Sequence, residues 1–68
     1  TETIMYPNPA SQGTKVYFND KVSFKIYNYL GQMVFGGRDL YQLDTSSFER
    51  GIYIVRFEDR SSQKLLIN

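Results

Sequence analysis

The sequence predicts an all-β domain, built as a compact antiparallel β-sandwich of six or seven short strands. Hydrophobic residues alternate with polar ones at a period of two over most of the chain, and no window of helical length shows a period of 3.6. Turn-forming residues separate these alternating segments at short spacing. A chain of 68 residues makes a single domain, 1–68, with a small core to which six Tyr and five Phe contribute most of the bulk.

The first third of the chain predicts an extended entry followed by a hairpin. Pro7 and Pro9 cannot donate hydrogen bonds to a β-ladder, so we expect this segment at an edge of the sheet or leaving it. Strands are expected at 14–18 and 22–29. Between them, Asn19-Asp20 can adopt positive φ angles and is expected to close a tight hairpin.

The middle of the chain predicts a second hairpin and a broken strand. The Asn28 side chain can cap its own backbone, and Gly31 can adopt the left-handed conformation that a tight turn needs. The next strand is expected at 32–36, where Gly36-Gly37 ends it.

The last third predicts a helical turn and a final hairpin. Ser46 and Glu49 have the spacing of a capping box, and Gly51 can end the turn, so a single 3₁₀ or α turn is expected at about 45–49. Two alternating segments follow, joined by a turn at 59–62.

Composition excludes several classes of site. The chain has no Cys and no His, so a disulfide and the common zinc sites are excluded. A net charge of +1 from scattered residues gives no basic surface for nucleic acid, and no apolar run is long enough for a membrane helix. The chain begins at Thr1, not Met, so we expect it to be a fragment of a longer protein.

No arrangement of residues predicts catalysis, a cofactor or a metal centre. Most of the serines lie at turn signals, where they bond the local backbone, and the carboxylates are spread over different turns. A calcium site built on Asp44, Ser46 and backbone carbonyls is a weak alternative, because calcium takes six to eight oxygen ligands.

Two features are open to a recognition role. Four tyrosines are expected to face outward, where they either pack across strands or stack on a sugar or a protein partner. They are Tyr17, Tyr27, Tyr29 and Tyr41. The last strand, 64–68, is either a plain edge strand or an edge that a receptor reads by strand addition or carboxylate capture.

Four blocks occur in order along nearly the whole chain. They are Tyr6–Pro9; Phe24–Asn28 with Gly31–Val34; Leu43–Phe48 with Gly51–Arg56; and Lys64–Ile67. In this order and with these gaps they resemble the C-terminal sorting domain of the type IX secretion system of Gram-negative bacteria. Members of that family often finish with Lys or Arg, whereas Lys64 here lies four residues before Asn68.

The resemblance implies an immunoglobulin-like fold and a role as a secretion signal that is not an enzyme. Such a domain directs folded cargo, attached upstream on the same chain, across the outer membrane. Its implied partners are the translocon or shuttle of the outer membrane and a sortase that removes it. Its implied location is the periplasm in transit, then the medium or the cell surface. The motif residues carried over are Pro7, Asn8, Pro9, Gly31, Gly51, Tyr53 and Lys64, with Tyr53 expected as a core anchor.

Two other functions are compatible with the residues alone. One is a carbohydrate-binding or adhesive β-sandwich module, which the outward tyrosines would serve. The other is a passive immunoglobulin-like spacer inside a larger protein. Neither one needs a cofactor, a nucleic acid or a membrane span.

Overall fold

The structure, a computed structural model, describes residues 3–68 and contains one antiparallel sheet. Its strands are β1 (Met5–Tyr6), β2 (Lys15–Tyr27), β3 (Met33–Asp44), β4 (Gly51–Phe57) and β5 (Ser62–Ile67). The strand order is β1-β2-β4-β5, and β3 also pairs with β2. The all-β, antiparallel prediction is therefore confirmed.

The strand count differs from the prediction because β2 is long and is shared by two halves of the sheet. Its first part pairs with β1 and with the end of β3, whereas 24–27 pair with β4 on one side and with the start of β3 on the other. The sheet bends along β2 and β3 into a half-barrel. Within residues 3–68 there are five strands rather than six or seven, and all of them belong to one sheet instead of two immunoglobulin-like layers.

The prediction of a hairpin at Asn19-Asp20 is wrong, because β2 continues through these residues and forms a large bulge there. Tyr17 lies opposite Gln42 and Val22 opposite Leu40, so four residues of β2 face a single residue of β3. The backbone N–H of Asn19 donates to the Ile4 carbonyl at 3.2 Å, and its Oδ1 accepts from the Ile4 N–H at 2.9 Å. These bonds hold Asn19 against the chain before β1, and bulges of this kind bend a strand strongly.

The break predicted at Gly36-Gly37 is also wrong, because β3 continues to Asp44. Gly37 lies opposite Phe24 in the β2–β3 register. A Cβ atom at Gly37 would lie 2.7 Å from Cζ of Phe24 and 2.8 Å from Cδ1 of Leu40. The glycine therefore makes room for a core aromatic ring instead of ending the strand.

The turn between β2 and β3 has the predicted chemistry. Oδ1 of Asn28 accepts hydrogen bonds from the backbone N–H groups of Leu30 and Gln32, both at 3.0 Å. Gly31 has a φ of +83°, in the left-handed region. Both expectations for this turn are confirmed.

The segment between β3 and β4 forms a single hydrogen-bonded turn, in which the Phe48 N–H donates to the Thr45 carbonyl at 3.0 Å. The cap is Asp44, whose Oδ1 accepts from the Ser46 N–H at 2.9 Å, rather than the expected pair of Ser46 and Glu49. An Asp side chain can bond the backbone two residues on, so it competes directly with a Ser cap.

The final hairpin joins β4 to β5 where the sequence predicts it. The Phe57 N–H donates to the Ser61 carbonyl at 2.8 Å, and Arg60 takes a φ of +74°. Asp59 Oδ1 accepts from both the N–H and the hydroxyl of Ser61, at 2.9 and 2.6 Å. The side-chain bonds fix the turn without a glycine.

The core lies on the concave side of the bent sheet and is rich in aromatic rings. Phe18 and Phe24 have ring centroids 5.0 Å apart, and Phe48 and Tyr53 have centroids 5.3 Å apart in an edge-to-face arrangement. The buried hydrophobic residues are Met5, Ala10, Val16, Phe18, Phe24, Ile26, Leu43, Phe48, Tyr53, Val55, Phe57, Leu65 and Ile67. They come from every strand, so the folding of each strand depends on the others. Residues 3–68 include no helix that could span a bilayer.

We expect Gly37→Ala to lower the free energy of unfolding by about 1–3 kcal/mol, because the added methyl group must displace the packed ring of Phe24. Thermal unfolding should show the loss as a lower melting temperature, by roughly 4–8 °C per kcal/mol. Gly36→Ala is the matched control, since nothing lies within 4 Å of its Cβ position. Equal melting temperatures for the two variants would contradict the packing argument.

Candidate functional site

Residues 8–12 lie along the outer edge of β5, and we call this segment the clasp. The Ala10 N–H donates to the Leu66 carbonyl at 2.8 Å, and the Ala10 carbonyl accepts from the Asn68 N–H at 2.8 Å. The Gln12 N–H donates to the Asn68 carbonyl at 2.9 Å. Ala10 and Ile67 form a parallel bridge, so the clasp acts as a short sixth partner of the sheet.

Asn8 extends the clasp with its side chain. Its Nδ2 donates to the Lys64 carbonyl at 2.7 Å, and its Oδ1 accepts from the Leu66 N–H at 3.2 Å. A carboxamide carries a donor and an acceptor side by side, as a strand backbone does, so it can bond an edge strand where a proline prevents the backbone from doing so. An asparagine at position 8 is therefore suited to bond both the free carbonyl and the free N–H of β5.

Pro7 and Pro9 stand on either side of this side chain, and both of their peptide bonds are cis. Neither proline has an N–H, so the β1–β2 ladder ends at Tyr6. By Ala10 the chain has reached β5, which lies at the opposite end of the strand order from β1. The proline segment therefore carries the chain from β1 to β5.

The structure brings four of the seven motif residues together in this place. Pro7, Asn8 and Pro9 lie in or beside the clasp, and Lys64 contributes the carbonyl that Asn8 bonds. The side chain of Lys64 is exposed. Both ends of the described chain thus contribute to one local arrangement.

The other three motif residues lie around two adjoining clefts that share Asn28, Tyr29 and Ile52. Gly51 and Tyr53 line one cleft, and Gly31 lines the other.

Two of these three residues take structural positions. Gly51 begins β4 with a φ of +150°, which favours glycine, although it is not the left-handed helix end that its sequence context predicts. Tyr53 is buried in the core, and its hydroxyl donates to the Glu49 carbonyl at 2.7 Å.

Sequence reasoning missed Ala10 and Gln12. Ala10 is fully buried, and the Gln12 side chain donates to the Phe48 carbonyl at 2.8 Å. Their partners lie 36 or more residues away along the chain, so no local pattern could have indicated the pairing. The interpretation of β5 as an edge open to strand addition is corrected, because the clasp occupies it from Lys64 to Asn68.

The tyrosines do not form one platform. Tyr17 is 41% exposed and packs against Tyr6 with ring centroids 6.0 Å apart, while Tyr41 lies 5.7 Å from Nζ of Lys21. Tyr29 is 83% exposed, and the half-buried Tyr27 lines the same cleft.

Two turn carboxylates have perturbed titration. The pKa of Asp44 is held below its ordinary value mainly by the backbone N–H of Ser46 and then by its hydroxyl. The pKa of Asp59 is lowered mainly by the hydroxyl of Ser61 and then by its N–H. Within the described residues, no group of three or more carboxylates is placed to hold a metal ion.

Comparison with protein families gives a match over nearly the whole chain. A family model described as a secretion system C-terminal sorting domain matches residues 4–68. The match includes the clasp, β5 and every strand between them. No curated protein matches the chain.

We expect Asn8→Ala to weaken the edge of β5 by about 0.5–1.5 kcal/mol, because it removes both side-chain bonds. Hydrogen exchange should show the effect locally, with the Leu66 amide exchanging about tenfold faster. The amide of Val55, in the middle of β4, serves as the internal control and should change only with global stability. An unchanged Leu66 exchange rate would show that Asn8 does not hold the edge.

We expect acid to weaken the β4–β5 turn. Because the folded pKa of Asp59 lies below its unfolded value of about 3.9, its contribution is complete above roughly pH 5 and is lost as the pH falls through the folded pKa. Asp59→Asn keeps an acceptor oxygen and does not titrate. The melting-temperature difference between wild type and this variant should shrink steadily below about pH 4. A difference that is constant with pH would contradict the assignment.

Proposed function

We propose that this chain, which belongs to the family of secretion system C-terminal sorting domains, is recognised by its machinery as a folded sheet rather than as a linear signal. The chain is a C-terminal sorting signal for type IX secretion. A signal of this kind implies a secreted or cell-surface protein, cargo attached upstream, and interaction with the type IX machinery. Secretion signal domains are not known as enzymes.

The observation that carries the proposal is the clasp. Asn8 and Lys64 are 56 positions apart, and they meet only when the three strands between them, β2, β3 and β4, have folded. A linear signal would leave such residues free to be read separately. Here the carboxamide of Asn8 is occupied by the Lys64 carbonyl and the Leu66 N–H, so a receptor is offered the surface of the folded domain instead of a free Asn8 side chain.

We further assign the sequence, residues 1–68, to a single sorting domain carried by a larger secreted protein. It crosses the periplasm and is received by an outer-membrane translocon or shuttle, and a sortase then separates it from the cargo. The pairing of β5 with the clasp suits this route, since it removes one edge at which other chains could associate. No observation in the structure favours the carbohydrate-binding module or the spacer.

The test is to fuse residues 1–68 to the C-terminus of an inert periplasmic reporter in a host that carries the type IX machinery. The wild-type fusion should reach the medium or the cell surface with the domain removed. Ala10→Asp places a charge at a fully buried clasp position and should unfold the domain and retain the reporter. Gln42→Ala, at an exposed position of β3, is the control and should be exported like wild type.

Circular dichroism of the purified variants separates the two parts of the proposal. Export of an Ala10→Asp variant that is shown to be unfolded would contradict recognition as a folded sheet. Retention of the wild-type fusion would contradict the sorting function itself.

A further inference from the structure

The convex face of the β2–β4–β5 half of the sheet carries a continuous set of apolar side chains, and we call it the outer face. Ile52 and Ile54 point outward from β4 and are 47% and 38% exposed. Ile54 lies opposite Tyr27 of β2, and Ile52 lies opposite Leu66 of β5. Side chains directly opposite each other on one face lie within about 5.5 Å at Cβ, so these four residues form one patch.

Cations outnumber anions among the charged groups of the outer face. Lys25 and Arg56 are a directly opposed cross-strand pair, and both are exposed. Lys64 lies opposite Ile54 on its other side. Glu58 comes two residues after Arg56, and its N–H donates to the Ser23 carbonyl at 3.2 Å. It lines one cleft with Lys25 and Arg56, so this face carries three cations and one carboxylate and keeps a net positive charge.

The pairing of Lys25 with Arg56 costs stability in the isolated domain, because like charges at directly opposite positions repel. Acidic groups on a partner would offset this repulsion, because charges that face each other across an interface are arranged to be complementary.

We propose that the outer face docks a protein of the secretion machinery that presents apolar side chains flanked by Asp or Glu. This inference rests on the proposed function and names the surface through which the sorting domain is read. The apolar patch supplies buried area, and the three cations give orientation and specificity.

Other occupants fit the outer face less well. A second copy of the chain, packed face to face, would bring these cations close to their own counterparts. A net charge of +1 gives little general attraction to an anionic lipid surface. Strand addition to β5 is excluded by the clasp, which already bonds that edge.

Export of the reporter fusion tests the proposal. The double reversal Lys25→Glu with Arg56→Glu should lower the exported fraction by about tenfold or more while the purified domain keeps its melting temperature within a few degrees. Lys25→Arg with Arg56→Lys keeps both charges and should be exported like wild type. Arg50→Glu reverses an exposed cation outside the outer face and is the matched control. Ile54→Ser should impair export without any change in charge.

Each result bears on the proposal in one direction. If the double reversal and Ile54→Ser are both exported like wild type, the outer face is not the docking surface, although the sorting function stands. If the unaltered fusion is not exported, the sorting function itself is rejected. Should Ile54→Ser not fold, the double reversal carries the test alone.

Two further measurements address the other occupants. Co-sedimentation of the domain with lipopolysaccharide vesicles, abolished by the double reversal, would replace the protein partner with a lipid surface. A dimer in analytical ultracentrifugation that Ile54→Ser dissociates would replace it with a second copy. Absence of both, together with impaired export of the reversal, supports the proposal.

Discussion

The structure depends on how the edge of β5 is satisfied. A bent five-stranded sheet has two edges, and each unpaired edge presents a row of backbone donors and acceptors. Residues 8–12 reach this edge directly after β1 and bond it from Lys64 to Asn68. The same contact fastens the start of the described chain to its end, so one interaction both pairs the edge of β5 and links the two ends of the described chain.

A small chain without disulfides relies on its core. One sheet can enclose a core only by bending, and the bend occurs in β2, where the extra residues between Tyr17 and Val22 form the bulge. The concave side then brings Phe18 close to both Phe24 and Phe57, with ring centroids 5.0 and 6.1 Å apart. Aromatic rings fill such a space with few residues, which suits a domain of this length.

What the sequence predicts well is local. The Asn28–Gly31 turn and the Asp59–Ser62 turn depend on side chains that bond their own neighbouring backbone, so a few residues suffice to predict them.

The errors concern contacts made across the chain. Asn19 is predicted in a hairpin turn, but its side chain instead bonds the Ile4 backbone. Gly37 is predicted to end a strand, but it instead leaves room for the ring of Phe24. The residues of the clasp could be identified only by their resemblance to a family motif. The Ala10–Ile67 bridge that explains them joins residues from nearly opposite ends of the chain, so no local pattern indicates it.

The pairing of the clasp with β5 also determines which part of the domain is available to a receptor. Asn8 and the backbone of β5 are occupied by each other, and Tyr53 is buried, so these motif residues make structural contacts within the domain. The surface that remains available for recognition is formed by folding but is not buried in the core. On the outer face, Ile52 and Ile54 remain exposed beside a repelling pair of cations, an arrangement that burial in the core does not require. A sorting signal that is read through such a face reports on the folded state of the domain, because Ile52 and Ile54 lie beside Leu66 and Tyr27 only while β2, β4 and β5 are paired.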